Sequence, residues 1–112
     1  MVPSNDLSEK AEELQALEHA LQNSMMQRQT IQVERNELET ALKEVKSAKE
    51  GDAYKIISGV MLRADTKQLA AELEEKAKLL DLRLSSIAKQ ELLVESKISN
   101  IKKELSSAQK KN

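Results

Sequence analysis

The chain of 112 residues has no cysteine, no tryptophan and no phenylalanine, and its one tyrosine is Tyr54. Without cysteine there is no disulfide, no thiolate nucleophile and no zinc–thiolate site, a pattern that suits a reducing compartment. Without aromatics the chain lacks the side chains that supply most buried area in thick cores, so an ordinary globular domain is excluded. Two glycines and one proline leave little punctuation. The single histidine, His19, sits between Glu18 and Ala20 with no second histidine to share a metal. No apolar run approaches the roughly 18 residues of a membrane span. The opening Met1-Val2-Pro3-Ser4-Asn5-Asp6 has neither a basic region nor an apolar run, so no signal peptide is read there. A net charge of -1 argues against nucleic acid as the main partner. There is no glycine-rich phosphate loop. The clusters Glu12-Glu13 and Glu72 with Glu74-Glu75 read as solvated helix faces, because catalysis needs an enclosed pocket. The expectation is a non-enzyme with no catalytic residue, no metal ligand and no cofactor.

What is present is leucine and charge. Sixteen leucines stand among Lys, Glu, Gln, Ala and Ser, and 33% of residues are charged. This composition fits long helices with a narrow apolar seam. Alternating steps of three and four through the first half meet Leu7, Lys10, Leu14, Leu17, Leu21, Ser24, Arg28, Ile31, Arg35, Leu38, Leu42 and Val45, of which eight are apolar. The second half gives Thr66, Ala70, Leu73, Ala77, Leu80, Leu84, Ile87, Glu91, Val94, Ile98, Ile101, Leu105 and Ala108, of which eleven are apolar. Heptads sustained on one register predict a coiled coil. Asp6 with Glu9 resembles a capping box, and Asp65 or Thr66 can cap the second helix. Lys46 and Lys49 suit the close of the first helix, and Gly51 tolerates the left-handed conformation just after it. Lys102, Lys103, Lys110 and Lys111 likewise suit the dipole at the end of the second.

Two matched helices joined by a short connector predict an antiparallel pair. Residues 1–50 hold ten acids against six bases, and residues 66–112 hold seven acids against ten bases. Opposite signs favour pairing the two halves with each other. Folding back about the centre sets Leu42 against Leu73 and Leu17 against Ile98. The polar exceptions Ser24, Arg28 and Glu91 then coincide. Either Arg28 and Glu91 form a polar layer, or both side chains reach outward to water.

The connector is β-branched and apolar, Tyr54-Lys55-Ile56-Ile57-Ser58-Gly59-Val60-Met61-Leu62-Arg63, and predicts a β-hairpin. Its turn is either a two-residue loop at Ser58-Gly59 or a three-residue loop with Gly59 left-handed, so the register stays open. Ile56, Ile57, Val60, Met61 and Leu62 are too many for one buried face. An isolated hairpin would expose them along with two bare edges, which points to pairing with other copies of the same element. The alternative is a loop folded onto the neighbouring helix ends. The chain is thus read as one domain, 1–112, with a first helix at 6–50, a hairpin at 53–64 and a second helix at 66–110.

A helix followed by Gly51-Asp52-Ala53-Tyr54-Lys55, an apolar strand, a glycine turn, Val60-Met61-Leu62-Arg63 and a second helix opening near Thr66-Lys67 resembles the β-subunit family of archaeal prefoldins. Ala71-Glu72-Leu73-Glu74-Glu75-Lys76 and Leu82-Arg83-Leu84 are similar to that family's second helix. As architecture the likeness covers nearly the whole chain; as residue identity it is concentrated from about 51 to 91. The resemblance implies a mainly α fold, a long antiparallel two-helix coiled coil whose central β-hairpin assembles into a β-barrel in the oligomer. It implies an ATP-independent chaperone subunit, in a cytoplasmic heterohexamer of two α and four β subunits, that captures unfolded clients and passes them to a group II chaperonin. The residues expected in the assembly hairpin are Tyr54, Ile56, Ile57, Gly59, Val60, Met61 and Leu62. Fraying of the helix ends would offer Leu7, Leu14, Leu17, Ile98, Ile101 and Leu105 to clients, and the flexible side chains of Met25 and Met26 suit varied partners. The plain alternative is that the leucines and isoleucines only pack the seam. The rival class is a structural coiled-coil scaffold or dimerisation arm. It explains the heptads but not the strand chemistry of the connector. No membrane and no nucleic-acid partner are expected, a nucleic-acid arm being the weakest of the options.

Overall fold

The computed structural model describes residues 4–49 and 53–110. Helix α1 spans Ser4–Ser47, strands β1 and β2 span Ala53–Ile57 and Val60–Ala64, and helix α2 spans Thr66–Lys110. This is the mainly α arrangement of two long helices around a short hairpin. Two compact units divide it: a hairpin unit, Thr30–Leu84, and a terminal unit made of the stretch up to Gln29 with the stretch from Ser85 onward.

The heptad accounts for shelter from water in both units. Every seam position except Arg28 is buried or half-buried, and among the described residues of the helices only Ala41 and Leu69 are sheltered off the seam. In the terminal unit Lys10 pairs with Glu104 at 2.6 Å, Glu18 with Lys102 at 3.8 Å and Arg28 with Glu91 at 3.0 Å. In the hairpin unit Arg35 pairs with Asp81 at 2.8 Å and Lys46 with Glu74 at 3.0 Å. Partner numbers fall on α2 as they rise on α1, so the helix segments run antiparallel within each unit. Net charge is not what these pairs use. Four of the five set a base of the acidic half against an acid of the basic half, so local register decides the partners.

Three local expectations are corrected. Asp6 does not cap α1, because the helix already includes Ser4; Asp6 is a first-turn acid that complements the helix dipole. The first helix closes at Ser47 rather than at residue 50. Its end is tightened by Ala48 N–H donating to the Val45 carbonyl at 3.2 Å, and the Ser47 hydroxyl donates to the Glu44 carbonyl at 3.0 Å. Lys49 therefore lies past the last turn, while Lys46 lies in it. Gly51, the expected helix stop, falls outside the described residues. At α2 the choice is settled for Asp65: its carboxylate accepts from the Lys67 N–H at 3.1 Å, and its carbonyl accepts the first helical bond from Leu69 N–H at 2.9 Å.

The strands pair antiparallel with Ile57 opposite Val60 and Ala53 opposite Ala64. Only Ser58 and Gly59 join them, with φ of +50° and +80°. Positive φ at both central residues is the type I′ pattern, whose twist matches that of the flanking strands. A serine therefore occupies a left-handed position usually given to Asn, Asp or Gly.

Candidate functional site

The hairpin is the most exposed apolar element of its unit. Alternation along the paired strands places Ala53, Lys55, Ile57, Val60, Leu62 and Ala64 on one face, and Tyr54, Ile56, Met61 and Arg63 on the other. The first face is sheltered at its base, where Ala53 is buried and Lys55 reaches Glu72 of α2 at 3.9 Å. Further out, Ile57, Val60 and Leu62 are exposed on that face and Tyr54, Ile56 and Met61 on the other, Ile56 reaching 69%. The sheet has two strands, so each strand offers one edge without a neighbour. Six large apolar side chains and two open edges on so small an element form an unfinished surface. The sequence reading named these residues, and the structure brings them together around the Ser58-Gly59 turn.

The terminal unit treats its candidate residues differently. Ile98 and Ile101 are buried in the seam, and Leu7, Leu14, Leu17 and Leu105 are half-buried there. Met25 and Met26 face water. Two further exposed side chains in this unit, Leu92 and Leu93, were not singled out from sequence. The signal was available: both fall off the heptad register, as Met25 does.

Glu91 is the unit's one buried acid among the described residues, its side chain 10% exposed. The Arg28 guanidinium donates to it through Nε at 3.0 Å while 45% of the Arg28 side chain stays in water. The polar-layer reading holds: the ion pair forms with the Glu91 side chain buried, while the Arg28 side chain stays partly in water.

The shallow depression along Ser99, Lys102, Lys103, Ser106 and Ser107 is lined by a single helix, α2. Among the described residues no cluster of three or more His, Asp or Glu could hold a metal ion, and no helix is long and apolar enough to cross a membrane.

The family model for prefoldin subunits matches residues 8–112. The chain belongs to the prefoldin family. It is 37% identical over 94 residues to the prefoldin subunit beta of Methanothrix thermoacetophila, covering 83% of this chain and 78% of the relative. It is 28% identical over 97 residues to that of Thermococcus onnurineus, covering 86% and 84%. The crystal structure of the prefoldin beta subunit from Thermococcus strain KS-1 superposes with a TM-score of 0.87 at 26% identity, covering 96% of this chain and 95% of that one. The prefoldin match therefore extends beyond the hairpin into both helices.

Proposed function

We propose that this chain is the β-type subunit of an ATP-independent chaperone. The observation that carries the reading is the hairpin: an element with apolar side chains exposed on both faces and both edges open, in a chain of the prefoldin family. Hairpins of neighbouring subunits join edge to edge into a closed barrel, which removes the edges and buries Tyr54, Ile56, Ile57, Val60, Met61 and Leu62. The assembly is a cytoplasmic heterohexamer of two α-type and four β-type subunits. Its helical arms hold unfolded proteins away from aggregation and hand them to a group II chaperonin. The arms require no nucleotide, because the work they do is reversible apolar contact. The client residues on this reading are Leu7, Leu14, Met25, Met26, Ile98, Ile101 and Leu105. The two methionines are exposed, and the others become available when the seam opens at the helix ends.

Light scattering tests the assembly. Alone and mixed with an α-type prefoldin subunit, the chain is expected to give particles larger than a dimer, with the full hexamer mass in the mixture. A small dimer under both conditions would return the chain to the scaffold class. Suppression of aggregation of chemically denatured citrate synthase by the mixture tests the chaperone role directly. Trimming residues 1–12 and 100–112 then tests the helix ends: unchanged protection by an intact hexamer removes them from client contact.

A further inference from the structure

Peroxide finds few places to react on this chain. With no cysteine there is no thiolate to compete for it, and the thioethers of four methionines are the softest nucleophiles present. Met1 lies outside the described residues. Met25 and Met26 stand on α1, 47% and 62% exposed. Met61 stands on β2 and is 65% exposed. Exposure makes all three oxidisable, and what separates them is the place of each in the fold.

The two-residue turn fixes the setting of Met61. The pair next to such a turn exchanges both backbone hydrogen bonds, and bonded and unbonded pairs then alternate along the strands. Ile57 and Val60 are that closing pair, so Ile56 and Met61 face each other without a bond between them. In such a pair the side chains come closest, and the backbone groups turn away from the partner strand. The N–H and C=O of Met61 therefore point out of the open edge of β2. Its thioether lies beside Ile56, itself exposed, on the face opposite Lys55. A strand that continues the sheet at β2 must hydrogen-bond at Met61 and lay a side chain against its sulphur. Among the described residues no other methionine belongs to a strand.

We propose that Met61 is an oxidation site through which peroxide controls the joining of hairpins. The proposal rests on the assembly reading above and adds a regulation to it. In the free chain a lone pair of the Met61 Sδ attacks one oxygen of hydrogen peroxide. The S–O bond forms as the O–O bond breaks, and the departing hydroxide takes the proton from the new S–OH group. Sulphur gives up two electrons, peroxide is reduced to water, and methionine sulfoxide remains. The sulfoxide is polar where the thioether was apolar. Ile56 opposite offers its oxygen no side-chain donor, so covering this face then buries an unsatisfied polar group. The same cover shields the sulphur once the sheet has been extended. Oxidation and assembly compete for one side chain: peroxide holds back subunits that are still free and spares those already joined.

The test treats the full chain with hydrogen peroxide, removes the peroxide with catalase and mixes the chain with an α-type prefoldin subunit. Light scattering across a dilution series reads particle mass, and peptide mass spectrometry reads oxidation at each methionine. Conversion at Met61 is expected to raise the concentration needed for assembly by about tenfold or more, the effect of one polar group buried without a partner. Treated Met61→Leu should assemble within about twofold of its untreated form, because leucine has no sulphur to oxidise. If untreated Met61→Leu does not assemble, Met61→Ile takes its place. Peroxide added after assembly is expected to oxidise Met25 and leave Met61 as the thioether. Undiminished assembly of a chain oxidised at Met61 overturns the proposal. An equal loss in the treated variant also overturns it, by placing the sensitive methionine elsewhere. Oxidation of Met61 as fast as Met25 within the particle overturns the shielding. If the untreated chain forms nothing larger than a dimer with the α-type subunit, the assembly reading itself fails. If it assembles and oxidised Met61 makes no difference, only the redox control fails.

Discussion

The hairpin unit and the terminal unit leave apolar surface in water in different ways. The hairpin concentrates β-branched and large side chains on both faces of two short strands, with their edges open. Backbone edges and stiff side chains fit one partner geometry, and that suits a fixed assembly. The terminal unit closes its seam over Ile98 and Ile101, and among its described residues leaves the large apolar side chains of Met25, Met26, Leu92 and Leu93 exposed. Such a surface fits many shapes weakly. The seams differ as well. The Arg28–Glu91 pair of the terminal unit has a buried acid, whereas in the Arg35–Asp81 pair of the hairpin unit the acid is exposed and the arginine is partly sheltered. One chain thus exposes stiff apolar side chains with open backbone edges in one unit and apolar side chains on helices without open edges in the other.

The largest expected effect would break this contrast at the hairpin. Ile56→Asp places a charge in the most exposed apolar position of the sheet and opposite Met61. We expect loss of assembly beyond the small species by light scattering, with helical circular dichroism retained. The scale is about 2–3 kcal/mol per apolar side chain denied burial. Assembly at full mass would mean that this face of the hairpin is not an interface.

The seam comparison is sharpened by two alanine variants. Arg28→Ala strands a carboxylate in the seam and is expected to lower stability by about 2–4 kcal/mol in denaturant melts. Asp81→Ala removes the exposed acid of the other pair and should cost less than about 1 kcal/mol. Replacing Arg28 and Glu91 together by leucine should recover most of the first loss, because no charge is then buried. Equal losses for the two alanine variants would erase the distinction between the units.

A smaller effect belongs to the turn. Gly59→Ala meets no atom within 4 Å but keeps a φ of +80°, so the loss is backbone strain of about 1 kcal/mol. Ser58→Asn should act in the opposite direction by a few tenths of a kcal/mol, since asparagine accepts the left-handed conformation more readily. Melting of the assembled particle reads both.

The smallest effect is a pH dependence at the far end of the terminal unit. Lys10 donates a hydrogen bond to Glu104, and this, with the nearby charges of Glu104, Asp6 and Glu13, raises its pKa above the ordinary 10.5 against the opposing desolvation. A cation whose pKa is raised on folding contributes its full stability below its unfolded value and loses it as pH rises through the folded one. The contribution should therefore be flat through neutral pH and vanish only in strong alkali. Lys10→Met should flatten that alkaline decline in thermal melts; an unchanged profile would show that the pair does not respond.

The seam was legible because its signal is local and repeated. A period near 3.5 residues names the inward positions from Leu7 to Val45 and from Thr66 to Ala108 without knowledge of the partner. The hairpin residues were legible because β-branched side chains cluster where the heptad stops. The turn was not, because Ser58-Gly59 is compatible with two loop lengths, and only strand register separates them. Asp6 misled because a capping box has the same spacing as an acid already inside the first turn. Leu92 and Leu93 escaped notice because leucine in a coiled-coil sequence reads as packing; only the partner helix shows that nothing covers them.

Sequence alone determined two helices, a strand-forming connector and which side chains turn inward, since these depend on spacing along one chain. The tertiary structure decided the ion-pair partners, the two-residue turn, the capping by Asp65 and the residues left in water. Those depend on how far apart residues distant in sequence come to lie, and periodicity carries no information about that distance.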